Sequence, residues 1–321
     1  MPLSRVLSAI AAIAVALTML LAGGWYFTVG FMVIVLLGLL EYFQMVRSKG
    51  MEPAAKTTLV IAQVLLITAT IAPQLTDAVF PVGGMIVCFY LLFQPKLATI
   101  ADISTSILGL FYGGWLPSYW IRLRVGLDVA RPSLTAHNLA NHHLATQGNV
   151  LVAMNPETPM ALALPTSPTW QQWFPDPSTV SPALSITVLA FMCIWMADIG
   201  AYCFGKFFGR TRLSQISPKK TVEGAIFGIG GSTLVGAAGA LSLGWPSWFL
   251  SGAILGLLIG VVSLMGDLTE SMMKRDAGIK DSGTLIPGHG GILDRTDSYV
   301  FTAPVVYYFF TLILPLFPAS L

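Results

Sequence analysis

Nine runs of mostly apolar residues follow one another along the 321-residue chain. A helix needs about 20 such residues to cross the ~30 Å hydrocarbon core of a bilayer, where its backbone polar groups find no water. The runs therefore predict an all-α polytopic membrane protein with about nine transmembrane helices. They occupy residues 6–22, 25–46, 58–76, 78–94, 100–120, 183–204, 224–243, 246–266 and 298–317.

Charged residues are too few to cover a water-facing surface. Only 10% of the chain is Asp, Glu, Lys or Arg, and 55% is hydrophobic, whereas soluble domains carry about 25% charged residues. This composition excludes an ordinary soluble enzyme, a disordered protein and a protein that binds nucleic acid. The 3 cysteines lie in apolar runs, which predicts neither a disulfide framework nor a zinc site.

The positive charges fall almost entirely on one side of this nine-helix arrangement. Fourteen of the 17 Lys and Arg residues lie in segments on the side of the N-terminus, and only Arg122, Arg124 and Arg131 lie on the other. The cytoplasmic loops of membrane proteins carry such an excess. The N-terminus is therefore predicted to be cytoplasmic and the C-terminus to lie on the opposite side.

Composition divides the chain into three parts. Residues 1–120 hold predicted helices one to five. Residues 183–321 hold helices six to nine with the cytoplasmic loops 205–223 and 267–297. Between them, residues 121–182 are a polar non-cytoplasmic loop with eight of the 20 prolines and three of the four histidines. Those histidines are an alternative metal site, but no Cys or carboxylate stands at ligand spacing, so a plain polar loop is favoured.

Acidic residues at membrane depth are costly, so each is a candidate for function. Glu41 and Asp102 fit equally well as hydrogen-bond partners between helices and as site residues. Asp198 shares a helical face with Tyr202, and the small residues beside them permit close helix packing. A functional acid and a buried acid at a packing interface are equal alternatives for Asp198.

A basic loop stands directly before the run that starts at residue 224. It contains Ser217, Lys219 and Lys220. Free N–H groups and the positive end of the helix dipole add to the two ammonium charges, which predicts an anion site. The alternative is that the two lysines only anchor the topology.

Ten charged residues fall within residues 263–298, although the whole chain carries only 17 basic and 15 acidic residues. The preference for basic cytoplasmic loops does not explain the six acids among them. Asp267 ends the eighth predicted helix and Asp294 and Asp297 begin the ninth, with Asp294 as a candidate N-cap, so carboxylates from two helix ends can face each other. Oxygen ligands without His or Cys suit Mg²⁺. Carboxylates, cations and glycines together indicate phosphoryl or nucleotidyl transfer.

Three motifs resemble, in the same order, those of the phosphatidate cytidylyltransferases, also called CDP-diacylglycerol synthases. The resemblance covers about residues 195–300. The motifs are Asp198-x-Gly200-Ala201-Tyr202; Ser217-Pro218-Lys219-Lys220-Thr221-x-Glu223-Gly224; and a run from Ser271 to Asp297 that includes Lys274-Arg275, Lys280-Asp281, Ile286-Pro287-x-His289-Gly290-Gly291-Ile292 and Asp294-Arg295-Thr296-Asp297.

This resemblance implies that CTP and phosphatidic acid condense to CDP-diacylglycerol and pyrophosphate. It implies dependence on Mg²⁺, with a monovalent cation such as K⁺ beside it. The metal-binding acids of the family match Asp267 and Asp294, with Asp297 close by. The expected protein is a homodimer in the lipid bilayer of a bacterial-type inner or thylakoid-like membrane, with an active-site cavity that opens to the cytoplasm.

The other motif residues are expected to act on the substrates. Lys280 and His289 join the three aspartates as candidate catalytic residues, and His289 either polarises a phosphate oxygen or holds the glycine turn in place. The expected substrate- and phosphate-binding residues are Ser217, Lys219, Lys220, Lys274, Arg275, Arg295, Asp198, Tyr202, Gly290 and Gly291.

Two other functions fit parts of the sequence. A CTP-dependent polyprenol or phytol kinase has a similar architecture, but the run from His289 to Asp297 favours the cytidylyltransferase. A cation-coupled transporter would use Asp198 and Asp102 in mid-membrane, which leaves the acids of residues 263–298 unexplained.

Overall fold

The chain folds into helices that follow the apolar runs. A computed structural model describes residues 3–127, 181–285 and 290–318. These residues form helices and no β-strand; isolated β-bridges occur between Arg212 and Thr221 and at Gly290. The helices are α1 (Leu3–Ala22), α2 (Gly24–Ser48), α3 (Ala55–Ile71), α4 (Thr76–Leu92), α5 (Ile100–Gly109), α6 (Leu116–Ile121), α7 (Pro182–Phe208), α8 (Val222–Ser242), α9 (Trp248–Asp276), α10 (Leu293–Val300) and α11 (Thr302–Tyr308).

Each of the nine predicted runs coincides with a helical segment in the part of the chain that the structure describes. A wider turn, Leu110–Trp115, joins α5 to α6. Among the described residues, six segments are long and apolar enough to cross a membrane: Gly24–Ser48, Pro73–Leu92, Pro182–Phe208, Val222–Ser242, Trp248–Asp276 and Leu293–Leu316. An all-α membrane protein is therefore confirmed, while nine crossings and the orientation of the termini stay predictions.

The helix that contains α6 extends beyond its predicted end at residue 120. Arg122–Gly126 continues it by another turn, and the buried Arg122 finds partners on neighbouring helices. It pairs with Asp77 at 2.8 Å, and its guanidinium lies 4.6 Å from the ring centroids of Tyr119 and Tyr307. Most of the predicted polar loop, including its histidines, lies outside the described residues.

The bundle has two ends that α2 connects. At one end, Arg124 is only 2% exposed and donates from Nε to the carbonyl of Leu20 at 3.0 Å. Its guanidinium also fills the space beside Gly23, just before α2. Glu41 lies about 26 Å further along α2, at 1.5 Å per residue, and contacts the segment that precedes α10. A cavity lined in part by Asp294 lies at this second end.

Small residues bring α7, α8 and α9 into direct backbone contact. A Cβ on Gly228 would collide with the carbonyl of Ala197, and one on Gly256 would collide with the carbonyl of Ser232. Such close approach requires residues without a side chain. The predicted packing role of the small residues around Asp198 is thereby confirmed, because Gly200 lies against the backbone of Gly228.

A further glycine brings α9 close to α10. A Cβ on Gly266 would lie 2.6 Å from the carbonyl oxygen of Asp297. The contact places Asp267, the next residue of α9, beside the start of α10. Acids that are distant in the sequence are brought together at this crossing.

Candidate active site

A cavity of about 730 Å³ lies between α7, α8, α9 and α10; we call it the polar cavity. It gathers residues from all three sequence motifs. The predicted site residues that line it are Asp198, Tyr202, Ser217, Lys219, Lys220, Asp267, Asp294, Arg295 and Asp297.

The acids of the polar cavity interact with one another. Asp297 is buried and interacts electrostatically with Asp267, Glu270 and Asp198. Its Oδ1 accepts a hydrogen bond of 2.7 Å from the backbone N–H of Ser298. Buried acids this close together are stable only when cations accompany them or when some of them bind a proton.

Two lysines supply part of that positive charge. Lys220 forms an ion pair with Asp267. Lys274 bridges two acids, because it pairs with the fully buried Glu270 and lies 2.6 Å from Oδ1 of Asp294. The Lys220 pair joins the loop before α8 to α9, and the pair of Lys274 with Asp294 joins α9 to α10.

The loop before α8 folds so that its lysines face the cavity. Thr221 caps α8, with its Oγ1 accepting from the N–H of Gly224 at 3.1 Å. Glu223 turns back and accepts from the N–H groups of Arg210 and Thr211, each at 3.1 Å. Lys219 and Lys220 therefore lie directly before the N-terminus of α8, where the backbone also favours anions.

Asp294 receives donors from several directions. Its Oδ2 accepts hydrogen bonds from the N–H of Gly291 at 2.8 Å and the N–H of Ser282 at 2.9 Å.

The expectation that Asp294 is the N-cap of its helix is wrong, since α10 starts at Leu293 and its N-cap is Ile292. The helix starts earlier because Glu41 of α2 accepts from the N–H groups of Ile292 and Leu293, both at 3.0 Å.

The residues present fit a hard divalent cation. Asp267, Asp294 and Asp297 line the same cavity and offer only oxygen ligands. Within the described ranges, no three Asp, Glu, His or Cys side chains form a group that could hold a metal ion by themselves. Mg²⁺ is typically held by one or two carboxylates together with substrate phosphates, so this donor set suits it.

Other predicted site residues lie outside the cavity lining. Arg275 donates to the carbonyls of Ile216 and Ile279 at 3.4 and 3.3 Å, which ties two loops together. Lys280 is exposed. Gly290 and Gly291 pack against Asp294 and Ser282, and Gly290 has φ +85°, a conformation that favours glycine. His289 lies outside the described residues.

The two acids of the N-terminal half, for which the sequence left two alternatives, behave differently. Asp102 has a local role, since it forms a capping box with Thr99 at the start of α5 and accepts from the N–H of Glu52 at 2.6 Å. This position at a helix end disfavours the transporter hypothesis, which needs Asp102 in mid-membrane. Glu41 instead reaches the segment that carries Asp294.

Sequence reasoning missed Ser282 and gave no specific role to Glu270. Ser282 is 6% exposed, and its Oγ lies between Glu41 and Asp294. The sequence places Glu270 on the same helical face as Lys274, one turn earlier, a spacing that favours their ion pair. Nothing in the local pattern marks Ser282.

Comparisons with known proteins agree with the motifs. A family model described as "Cytidylyltransferase family" matches residues 3–313. The chain is 59% identical over 315 residues to a phosphatidate cytidylyltransferase of Synechocystis sp., with 98% of both chains covered. It is 38% identical over 307 residues to the chloroplastic phosphatidate cytidylyltransferase 4 of Arabidopsis thaliana, covering 92% of this chain and 70% of that relative.

Proposed function

The chain belongs to the cytidylyltransferase family, and from this membership we propose that its polar cavity is where CTP and phosphatidic acid meet. The activity is that of a phosphatidate cytidylyltransferase, a membrane nucleotidyltransferase of phospholipid biosynthesis that forms CDP-diacylglycerol and pyrophosphate. One observation supports this location above all: motifs separated by as many as a hundred residues supply the lining of a single cavity.

The substrate itself provides the nucleophile. A phosphate monoester has a second pKa near ~6 and is largely dianionic at neutral pH. An oxygen of the lipid phosphate attacks the α-phosphorus of CTP, the bond from that phosphorus to the bridging oxygen breaks, and pyrophosphate leaves with the electron pair. No protein base is needed, so the protein's task is to hold two polyanions together and to offset their repulsion.

Residues of the polar cavity suit that task. Lys219, Lys220 and Arg295 line it and would bind phosphate oxygens. Asp267, Asp294 and Asp297 would hold Mg²⁺, which when bound supplies positive charge to the reacting phosphates. K⁺ as a second cation and substrate contacts by Ser217, Asp198 and Tyr202 are parts of the same proposal.

Residues outside the lining have supporting roles in this proposal. Lys274 fixes Asp294 through their ion pair, and Arg275 holds together the two loops that flank the cavity. Lys280 is exposed in the segment after α9, from which it would approach the leaving pyrophosphate.

The proposed topology places the polar cavity at the cytoplasmic surface. In a nine-crossing arrangement, fourteen of 17 Lys and Arg residues lie on that side. We further propose a bacterial-type inner or thylakoid-like membrane, where cytoplasmic CTP reaches the cavity, and a homodimeric assembly. No partner besides the bilayer and the two substrates is required for the chemistry.

Labelled CTP tests this function directly. Purified protein is incubated with phosphatidic acid, Mg²⁺ and CTP that carries radioactive phosphorus at either the α- or the γ-position. A cytidylyltransferase transfers only the α-label into lipid and releases the γ-label as pyrophosphate. Lipid that carries the γ-label would instead identify a CTP-dependent kinase, and substrate flux without CTP turnover would identify a transporter.

A further inference from the structure

Glu41 lies on a helix outside the three motifs but makes three contacts with the segment between α9 and α10. Its Oε1 accepts from the N–H of Ile292 at 3.0 Å. Its Oε2 accepts from the N–H of Leu293 and from Oγ of Ser282, both at 3.0 Å. The side chain is only 4% exposed, so these three donors replace the water that a carboxylate otherwise needs.

Ser282 connects Glu41 to Asp294. Its Oγ also lies 3.1 Å from Oδ2 of Asp294, to which its backbone N–H donates at 2.9 Å. A hydroxyl has one hydrogen to donate. The Ser282 side chain therefore donates to either Glu41 or Asp294 at one time, while its backbone N–H donates to Asp294 in both cases. Displacing Ser282 would therefore change the position of Asp294.

Two glycines of this segment lie so close to the Glu41 carboxylate that neither position has space for a side chain. A Cβ on Gly283 would lie 2.5 Å from Oε1 of Glu41, and a Cβ on Gly291 would collide with its Oε2. The segment is therefore folded closely around this carboxylate from two sides. Such close packing on one buried acid is expected where the acid determines the conformation of the segment.

We propose that Glu41 is a positioning residue, which holds the segment between α9 and α10 and thereby fixes Asp294 at the polar cavity. It touches neither substrate and acts through Ser282 and the start of α10. The catalytic consequence rests on the proposed function, whereas the ordering of the segment does not.

The test compares Glu41→Gln with a control on the same helix. Glutamine has the same size but replaces one acceptor oxygen with an N–H donor, which would face a backbone N–H. The control is Thr28→Val, because Thr28 is also fully buried in α2 and bonds to Thr70 at 2.8 Å, far from the cavity. The full-length protein in detergent micelles is used for steady-state kinetics, thermal unfolding and amide hydrogen exchange.

In the Glu41→Gln variant we expect kcat to fall at least about tenfold, since small displacements of a reacting group have effects of this size or larger. The KM for CTP should change less, because Lys219 and Lys220 belong to the loop before α8 and not to the segment that Glu41 holds. Exchange should become faster at the amides of Ser282, Gly291, Ile292 and Leu293 and not elsewhere. Thr28→Val should lower the unfolding temperature but leave kcat and the exchange of these four amides unchanged.

A Glu41→Gln enzyme with kcat within about twofold of the parent would overturn the proposal. So would unchanged exchange at those four amides, or an equal loss of kcat in Thr28→Val. If the parent protein forms no CDP-diacylglycerol, the proposed function fails, and the exchange measurement alone still decides whether Glu41 orders the segment.

Discussion

Lys220 and Asp267 form an ion pair that joins the loop before α8 to α9 in the wall of the polar cavity. Both side chains stay partly open to solvent, with 23% and 31% of their surface exposed. A phosphate that enters the cavity would compete with Asp267 for Lys220, and a cation would compete with Lys220 for Asp267. The pair therefore lies where binding of nucleotide and of metal would be linked.

Replacing Lys220 should weaken the use of CTP. For Lys220→Gln we expect kcat/KM for CTP to fall at least about tenfold, since one charged donor to the reacting phosphates is lost. Pyrophosphate release measured over a range of CTP concentrations gives this value. Lys56→Gln, a change at an exposed lysine on the same predicted side, should stay within about twofold, and equal kinetics of both variants would contradict the role of Lys220.

The Asp294→Asn variant should lose pyrophosphate release by about a hundredfold or more. The new amide N–H₂ group would face either Lys274 or the N–H groups of Ser282 and Gly291, so the contacts that fix this side chain cannot all form. Size-exclusion chromatography and the unfolding temperature check that the variant is folded. Asp276→Asn is the matched control, because Asp276 is exposed and has only a surface ion pair at 3.4 Å.

Removal of Mg²⁺ should stop the reaction reversibly. After dialysis against EDTA, activity should return with added Mg²⁺, and Asp267→Asn should raise the concentration that gives half of full activity. Both effects follow because Asp267 and the phosphates together would hold the ion. Full activity in EDTA, or an Asp267→Asn enzyme with an unchanged Mg²⁺ requirement, would show that these acids do not bind the metal.

The sequence predicted the positions of the helices because bilayer thickness sets the length of an apolar run. That Asp198, Lys220 and Asp267 share one site was implied by the resemblance of their motifs to a single family, because the charge pattern alone left Asp198 open between a functional acid and a buried packing acid. The sequence could not predict that Glu41 would accept hydrogen bonds from the N–H groups at the start of α10. That contact joins residues about 250 positions apart, and no local pattern records such a hydrogen bond.

Arg275 is a second residue whose contacts could not be predicted from the sequence. A basic residue next to an acidic cluster was expected to bind phosphate, yet its guanidinium donates to two backbone carbonyls instead. Charge and spacing indicate which region binds an anion, but the direction of a long flexible side chain depends on packing. The cavity lining therefore retains Lys219, Lys220 and Arg295 but not Arg275.

The two ends of the bundle should be labelled from opposite sides of the membrane. In a variant without the three native cysteines, we introduce Asp276→Cys at the end of α9 or Thr146→Cys in the predicted non-cytoplasmic loop. A membrane-impermeant maleimide added to spheroplasts should modify only the second of these proteins, and lysis should make the first reactive. Labelling of Asp276→Cys in sealed cells would reverse the proposed orientation.

Arg124 should matter for stability more than for catalysis, since it lies at the end of the bundle away from the polar cavity. It is buried and donates to the carbonyls of Leu20 and Leu21. The contact with Leu20 is buried, and a buried carbonyl that loses its donor costs about 1–3 kcal/mol. Arg124→Met should therefore destabilise the protein by about 1–3 kcal/mol, seen as a lower unfolding temperature in micelles. Below that temperature its kcat should stay close to the parent value. The control Arg47→Met, at an exposed position of α2, should leave the unfolding temperature and kcat unchanged. A loss of kcat in fully folded Arg124→Met would contradict the conclusion that Arg124 is too far from the polar cavity to affect catalysis.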